Sequence, residues 1–319
     1  MTNKIQAVPL TSSVAARIEG IDLRGEVSAS EIEQVREALW KHSVLVFEGQ
    51  NLTAVEHLRL TGFFGVVQPY EVFSFLGETN PGVAVDPDNG GFVGEDGKAA
   101  ARVVNFERRP KVKTANDHPR ISEFPDWHTD SSFMKRLPQA AALRAEIVPP
   151  VGGDTSFASM CAAYDALSPT MQDWLKDARA IHAYPPDYKN SIQPWQYGED
   201  AEERFDAEYQ PREHPVVIEH PESRRKALFV NPVYTIRMVG MTDRESEHML
   251  RLLFIHMTSS EFVYRHHWTQ PGDIVVWDEM ACMHLAPTDF DPHPRRLVRL
   301  TSGSVAPTAP AAAEPVLVS

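Results

Sequence analysis

The sequence predicts a mainly β fold with flanking helices, a jelly-roll frame under a helical cover, and three observations carry that prediction. Strand-like runs outnumber helical ones across the 319 residues. The runs are short, β-branched or aromatic, and bounded by Gly, Pro or Asp, the pattern of an antiparallel sandwich or barrel. Helices cluster early and again near residue 250 and do not alternate with strands, which disfavours a doubly wound sheet.

The elements follow in order. Ser28 with Glu31 forms a capping box, and Ile32, Val35 and Leu39 recur behind it at helical spacing. A strand is expected at 43–47, and Thr53 with Glu56 opens a second helix. Residues 140–148 read as the next strand, and Ser168-Pro169 starts a short helix with Met171, Trp174 and Leu175 on its buried face. Strands are expected at 215–219 and 226–230. Thr242 with Glu245 caps a helix carrying Met249, Leu252, Leu253 and His256. Strands at 273–277 and 296–305 complete one domain over residues 1–305. Residues 71–100 hold Glu71, Glu78, Asp86, Asp88, Glu95 and Asp96 against Lys98, with Gly and Pro throughout, and read as a long mobile loop. The Ala/Pro-rich stretch 306–319 reads as a disordered tail.

Composition narrows the function classes. Hydrophobic residues at 42% and charged residues at 24% are an ordinary globular mixture. The net charge of -13 repels phosphate backbones and anionic membranes, so a small-molecule partner is expected, with no nucleic acid and no membrane. Cys161 and Cys282 are too far apart for a paired-ligand spacing and are expected as reduced thiols. No apolar run is long enough for a membrane span and the first residues lack a secretory h-region, so a soluble, cytoplasmic protein is expected.

The chemistry concentrates in two places. Trp127-His128-Thr129-Asp130 holds an H-x-D pair, whose spacing of two puts an imidazole and a carboxylate on one face of a strand. Gly272-Asp273-Ile274-Val275-Val276-Trp277-Asp278 runs on to His284 and then to Arg295-Arg296-Leu297-Val298-Arg299. Two histidines and one carboxylate on one metal face leave positions open for reactants, the geometry of non-haem Fe(II) oxygenases. An arginine fork beyond the third ligand suits the distal carboxylate of a diacid.

With WHTD, GGDTSFASMCAAYDALS, HPVVIEHPESRRKALFVNPVYTIRMVGM, EFVYRHHWTQPGDIVVWD and the terminal RRLVR in place, the sequence resembles the TauD/TfdA family of Fe(II)- and 2-oxoglutarate-dependent dioxygenases over residues 5–303. The resemblance implies a double-stranded β-helix, cupin-like core, with Fe(II) as cofactor and 2-oxoglutarate and O2 as co-substrates. It implies His128, Asp130 and His284 as metal ligands, Thr155 as a hydrogen-bond partner of 2-oxoglutarate, and Arg296, with Arg295 second, as the carboxylate clamp. The reaction implied is hydroxylation or another oxidation of a small organic molecule, coupled to decarboxylation of 2-oxoglutarate to succinate and CO2. Retention of Asp130 favours this over halogenation, and by analogy the protein is a dimer or tetramer.

The resemblance is weaker around the primary substrate. In the taurine enzyme an arginine four residues after the clamp holds the sulfonate, and counting from Arg296 that position is Leu300. Its partner histidine falls near Tyr70. Taurine is therefore disfavoured, and a larger, neutral or cationic amino-acid-derived substrate under an acidic 71–100 lid is the leading expectation. A sulfonate or aryloxyalkanoate substrate is the alternative, and a zinc hydrolase on the same barrel is a further one. Tyr70, Phe157 and Arg299 are the candidate substrate residues. The family's usual WDNR is Trp277-Asp278-Glu279-Met280 here, and Glu279 reads as either a solvated edge residue or a neighbour of His284. His214 and His220 read as surface residues, and His266-His267 as packed or hydrogen-bonded imidazoles.

Overall fold

The computed structural model describes residues 5–68, 102–105, 124–185 and 200–310. The expected lid at 71–100, Tyr70 and most of the expected tail lie outside the described residues.

The chain opens with β1 (Gln6–Pro9) and β2 (Ala16–Glu19), then α1 (Ala29–His42), β3 (Val44–Phe47), α2 (Ala54–Thr61), β4 (Val67–Gln68) and β5 (Arg102–Asn105). Next come β6 (Ala140–Ile147), β7 (Thr155–Ser159), α3 (Met160–Asp165), α4 (Pro169–Leu175) and β8 (Arg179–His182). The central run is α5 (Ala201–Glu208), β9 (Arg212–Pro215), β10 (Val217–Glu219), β11 (Lys226–Leu228) and β12 (Thr235–Met238). It closes with α6 (Asp243–Met257), β13 (Val263–His266), β14 (Ile274–Asp278), β15 (Cys282–Leu285) and β16 (Arg296–Ser302). All three expected capping boxes form, at Ser28, Thr53 and Thr242.

The large sheet runs β1-β2-β3-β14-β6-β16-β4, with β5 paired to β16, and a small sheet runs β13-β7-β15. Side chains alternate across the large sheet. Val44 and Val46 of β3, Ala141 and Leu143 of β6, Val275 and Trp277 of β14 and Leu297 of β16 point inward, onto Phe157 and Cys282 of the small sheet. Leu45, Phe47, Ala140, Ala142, Ile274 and Val276 point outward onto Val35 and Leu39 of α1 and Leu60 of α2. The sheet is thus apolar on both faces, one packed on a second sheet and one on helices, the jelly roll with helical cover that the sequence predicts.

The sequence did not separate the strand expected at 215–219, which is two: Val216 leaves the line to donate its N–H to Ala178 and accept one from Phe229. The strand expected at 296–305 stops at Ser302, because Gly303 turns at φ +76. The strands that escaped the sequence are mostly about four residues long, and one of them, β15, carries no β-branched residue. His214 and His220 are buried, against the surface expectation. His220 takes backbone N–H bonds from Glu222 and Ser223 on Nδ1, which leaves Nε2–H to face Asp278 at 2.7 Å.

Candidate active site

The H-x-D segment is pinned to β15 by a reciprocal pair, His128 N–H to the His284 carbonyl at 3.0 Å and His284 N–H to the His128 carbonyl at 2.8 Å. Two segments 156 residues apart are thereby brought side by side, and the imidazole ring centroids stand 4.3 Å apart. His128 Nδ1 lies 2.7 Å from the Asp126 carbonyl and donates to it, so Nε2 presents its lone pair inward. His128 Nε2 and His284 Nε2 each lie 3.5 Å from an Asp130 carboxylate oxygen, beyond good hydrogen-bond geometry. One ligand atom from each of His128, Asp130 and His284 falls within 4.8 Å of the others. Two imidazoles and a carboxylate on one face, not bonded to one another, fit a divalent iron with open positions.

Charge at the cluster is set by burial and by Arg299. Burial works against the Asp130 carboxylate, but the Arg299 guanidinium, His284 and His128 more than offset it and hold Asp130 well below the usual range. Burial and the neighbouring His128 keep His284 neutral, well below its ordinary value, which is the form a metal binds. Arg299 donates to an Asp130 oxygen, reaches Glu279 Oε1 at 3.4 Å, and lies over the Trp277 ring at 5.5 Å. Glu279 is buried, against the solvated-edge expectation, and it touches the Asp130 backbone and not His284. Its Oε2 accepts the Asp130 N–H at 3.1 Å and its Oε1 accepts the Trp277 indole N–H at 2.8 Å. Burial and the Asp130 carboxylate hold the Glu279 carboxyl well above its ordinary range, with Arg299 only partly offsetting them.

A second polar pair lies on the same inner surface. His284 sits opposite Phe157 in the β15–β7 register, so its side chain shares a face with Phe157 and Thr155. Thr155 Oγ1 accepts from Trp268 Nε1 at 3.1 Å and from an Arg295 guanidinium nitrogen at 3.2 Å, which keeps its own O–H as a donor. Arg295 is buried, and burial lowers it to about 10, still protonated at neutral pH. Gly153, at φ +70, lets the chain pass Arg295: a Cβ there would stand 2.9 Å from Arg295 Cδ. Asp289 accepts the Gly153 N–H, while Asp154 holds Arg265 and His267 beside it.

The expected place of Arg296 is corrected. Its guanidinium pairs with Glu146 at 2.9 Å, on the outer side of the large sheet, and is partly exposed. The reason is parity. Leu297 packs in the inner core and Arg299 reaches the ligand cluster, whereas Val298 and Leu300 pack outward against Ala54, Leu58 and Val67. The even-numbered positions of β16 therefore face out, and a register shift lies between Arg296 and Leu297. Arg299 lies four residues after Arg295, as Leu300 does after Arg296. Phe157 is fully buried against Trp277, 5.6 Å between rings, and belongs to the core. Met280 and Met283 are likewise core. Tyr234, edge-on to His128 at 6.1 Å, walls the cluster, and no pattern in the sequence marks it.

Known proteins resemble this chain over most of its length. Residues 6–301 match the family described as "Taurine catabolism dioxygenase TauD, TfdA family". An alpha-ketoglutarate-dependent 2,4-dichlorophenoxyacetate dioxygenase of Cupriavidus pinatubonensis is 31% identical over 88% of this chain and 91% of its own. An alkylsulfatase of Acinetobacter baylyi is 30% identical over 94% and 85%. Among solved structures, a taurine dioxygenase from Burkholderia xenovorans superposes with a TM-score of 0.72 at 30% identity, covering 96% of this chain and 93% of that one. AAD-2 in complex with Mn(II) and N-oxalylglycine superposes at 0.69 with 26% identity, covering 96% and 99%. The fold, the histidine and carboxylate cluster and these likenesses lead to one conclusion: the chain belongs to the TauD/TfdA family of Fe(II)- and alpha-ketoglutarate-dependent dioxygenases.

Proposed function

We propose that His128, Asp130 and His284 ligate the iron of this dioxygenase, and that Arg295, in place of Arg296, clamps the distal carboxylate of 2-oxoglutarate together with Thr155. The observation that carries the reading is the pairing of the ligand cluster with the Arg295–Thr155 contact on one inner surface. Iron, when bound, supplies dioxygen activation coupled to loss of CO2 from 2-oxoglutarate. The chain's own residues do the rest. His128, oriented through Asp126, and His284 offer neutral nitrogens, and Asp130 offers the anionic oxygen. A guanidinium fork and a hydroxyl donor together hold a carboxylate in one orientation. The inward apolar wall of Phe157, Trp277 and Leu297 keeps water from that surface.

The relatives' names, a dichlorophenoxyacetate dioxygenase and an alkylsulfatase among them, support a small organic substrate. With Arg299 in the inner site, the ground for excluding sulfonates on a missing arginine is removed. The acidic balance supports an absence of nucleic-acid and membrane partners, and no described helix is long and apolar enough to cross a membrane. A cytoplasmic homo-oligomer is part of the same reading by family analogy.

The test is an anaerobic titration with Fe(II) and then 2-oxoglutarate, following the visible charge-transfer band of the chelated oxo acid. Wild type should develop the band and Asp130→Ala should not. Loss of charge-assisted bonds costs about 1.5–3 kcal/mol, so Arg295→Ala should need roughly ten to a hundred times more 2-oxoglutarate, while Arg296→Ala stays within about twofold of wild type. A defect in the Arg296 variant alone would return the clamp to Arg296.

A further inference from the structure

Three charged side chains gather beside Arg295, Arg265 and the acids Asp154 and Asp289, and the reaction above gives them no task. Arg265 stands on β13 opposite Ser156 of β7, one place along from the His266–Thr155 pair. Its guanidinium spans both acids: Nε donates to Asp154 Oδ2 at 2.5 Å and a terminal nitrogen to Asp289 Oδ2 at 3.1 Å. The other two oxygens are held as well, Asp154 Oδ1 by His267 Nδ1 at 2.8 Å and Asp289 Oδ1 by the Gly153 N–H at 2.8 Å. Both acids border the clamp. Asp154 immediately precedes Thr155, and Phe290, next to Asp289, sets its ring 5.6 Å from the Arg295 guanidinium. Burial lowers Arg295, and Asp154 and then Asp289 pull it back up, so both carboxylates act on its charge.

We infer that Arg265 is a positioning residue for the co-substrate: it takes up the charge of Asp154 and Asp289, so that Arg295 keeps its guanidinium for the distal carboxylate of 2-oxoglutarate. The inference rests on the reading of Arg295 as that clamp. A guanidinium binds any carboxylate that reaches it in a suitable orientation. An acid of the same chain does so without a bimolecular step, so Asp154 and Asp289 are competitors of 2-oxoglutarate with the advantage of tethering. Arg265 ends the competition by fastening one oxygen of each acid, using two arms of a planar fork that point to different partners. With 52% of its side chain exposed against 12% for Asp154, Arg265 reaches in from the rim and leaves the inner surface clear. His267 cannot replace it, because that ring holds only the other oxygen of Asp154. Without Arg265, two carboxylates face one buried guanidinium, and the incoming diacid adds more negative charge beside them.

The test follows the charge-transfer band while 2-oxoglutarate is titrated anaerobically into enzyme loaded with Fe(II). Arg265→Gln should need about fivefold more co-substrate, the upper end of what a half-exposed pair contributes, with Fe(II) affinity within about twofold of wild type. Arg265→Lys keeps the charge and should stay within about twofold of wild type in both titrations. Adding Asp154→Asn to Arg265→Gln removes the stronger competitor and should return the 2-oxoglutarate titration to within about twofold of wild type, a coupling that damage to packing does not produce. Asp154→Asn alone, with Arg265 in place, should bind the co-substrate at least as tightly as wild type. A loss beyond about twofold in that variant overturns the inference, whether or not Arg265→Gln folds by circular dichroism. Wild-type affinity in Arg265→Gln, a parallel loss of iron, or a double variant no better than the single one overturns it too. Arg295→Ala is titrated beside them. Weak binding there with Arg265→Gln unchanged counts against Arg265 alone, whereas wild-type affinity in Arg295→Ala counts against the clamp reading itself.

Discussion

Gly153 shows how little separates a working clamp from a displaced one. At φ +70 any side chain is strained, and a Cβ would also stand 2.8 Å from Pro149 Cγ and 2.9 Å from Arg295 Cδ. Gly153→Ala should therefore push Arg295 off Thr155 while leaving His128, Asp130 and His284 in place. The expected outcome is at least a fivefold weaker 2-oxoglutarate titration with Fe(II) affinity within twofold of wild type, measured anaerobically; a parallel loss of iron would show that the turn supports the whole site. Thr155 belongs to the same scale, since one oxygen takes both the Trp268 and the Arg295 donors. Arg295 and Arg296, adjacent in sequence, differ in fate because one faces the inner core and the other meets Glu146 outside.

At the scale of elements, the three-stranded sheet β12-β8-β9 carries a pH dependence. His214 on β9 packs edge-on to His182 on β8, ring centroids 5.3 Å apart, and burial lowers His214 from 6.5 to about 4. The folded state thus binds the proton later than the unfolded chain does. Between pH 6.5 and about 4 the unfolded state holds more protons, so stability is full above 6.5 and is lost as pH falls through that window. His214→Gln should flatten the dependence by up to one proton, about 1.4 kcal/mol per pH unit. Urea midpoints of the metal-free protein from pH 7 to 4.5 measure it, and coincident slopes for variant and wild type would remove His214 from the account. The capping boxes are elements of another kind, each a local pair that stabilises its helix by about 1 kcal/mol.

At the scale of the whole molecule, the ligand set joins the loop after Phe124 to β15 beside it, so a metal ties together parts of the chain far apart in sequence. A metal bound only by the folded state at a hundred times its dissociation constant contributes about 2.7 kcal/mol, which for a chain of this length raises Tm by about 4 °C. Scanning calorimetry with Mn(II) in place of iron, and again after EDTA, should show that rise and its reversal. Asp130→Ala should show neither, and an equal rise in that variant would place the stabilising metal elsewhere.

Much of this protein is legible from its residues alone, because the signals are local. Capping pairs such as Thr242 with Glu245 and the apolar run Val44 to Phe47 act between neighbours or near neighbours and form as the pattern predicts, whereas His128 and Asp130 come together on an isolated bridge and a turn in place of the strand face that their spacing suggests. What the tertiary structure alone decides is which face of a strand is the inner one, and what meets a side chain there. The odd-numbered residues of β16 face inward, and Arg295, just before the strand, keeps that parity and meets Thr155 while Arg296 meets Glu146 outside, although nothing in the pair itself says which is which. Glu279 looks like an exposed acid in sequence and is buried because Trp277, the Asp130 backbone and Arg299 converge on it from β14, the H-x-D segment and β16. Burial of a charge depends on partners that are distant along the chain, and only folding brings them together.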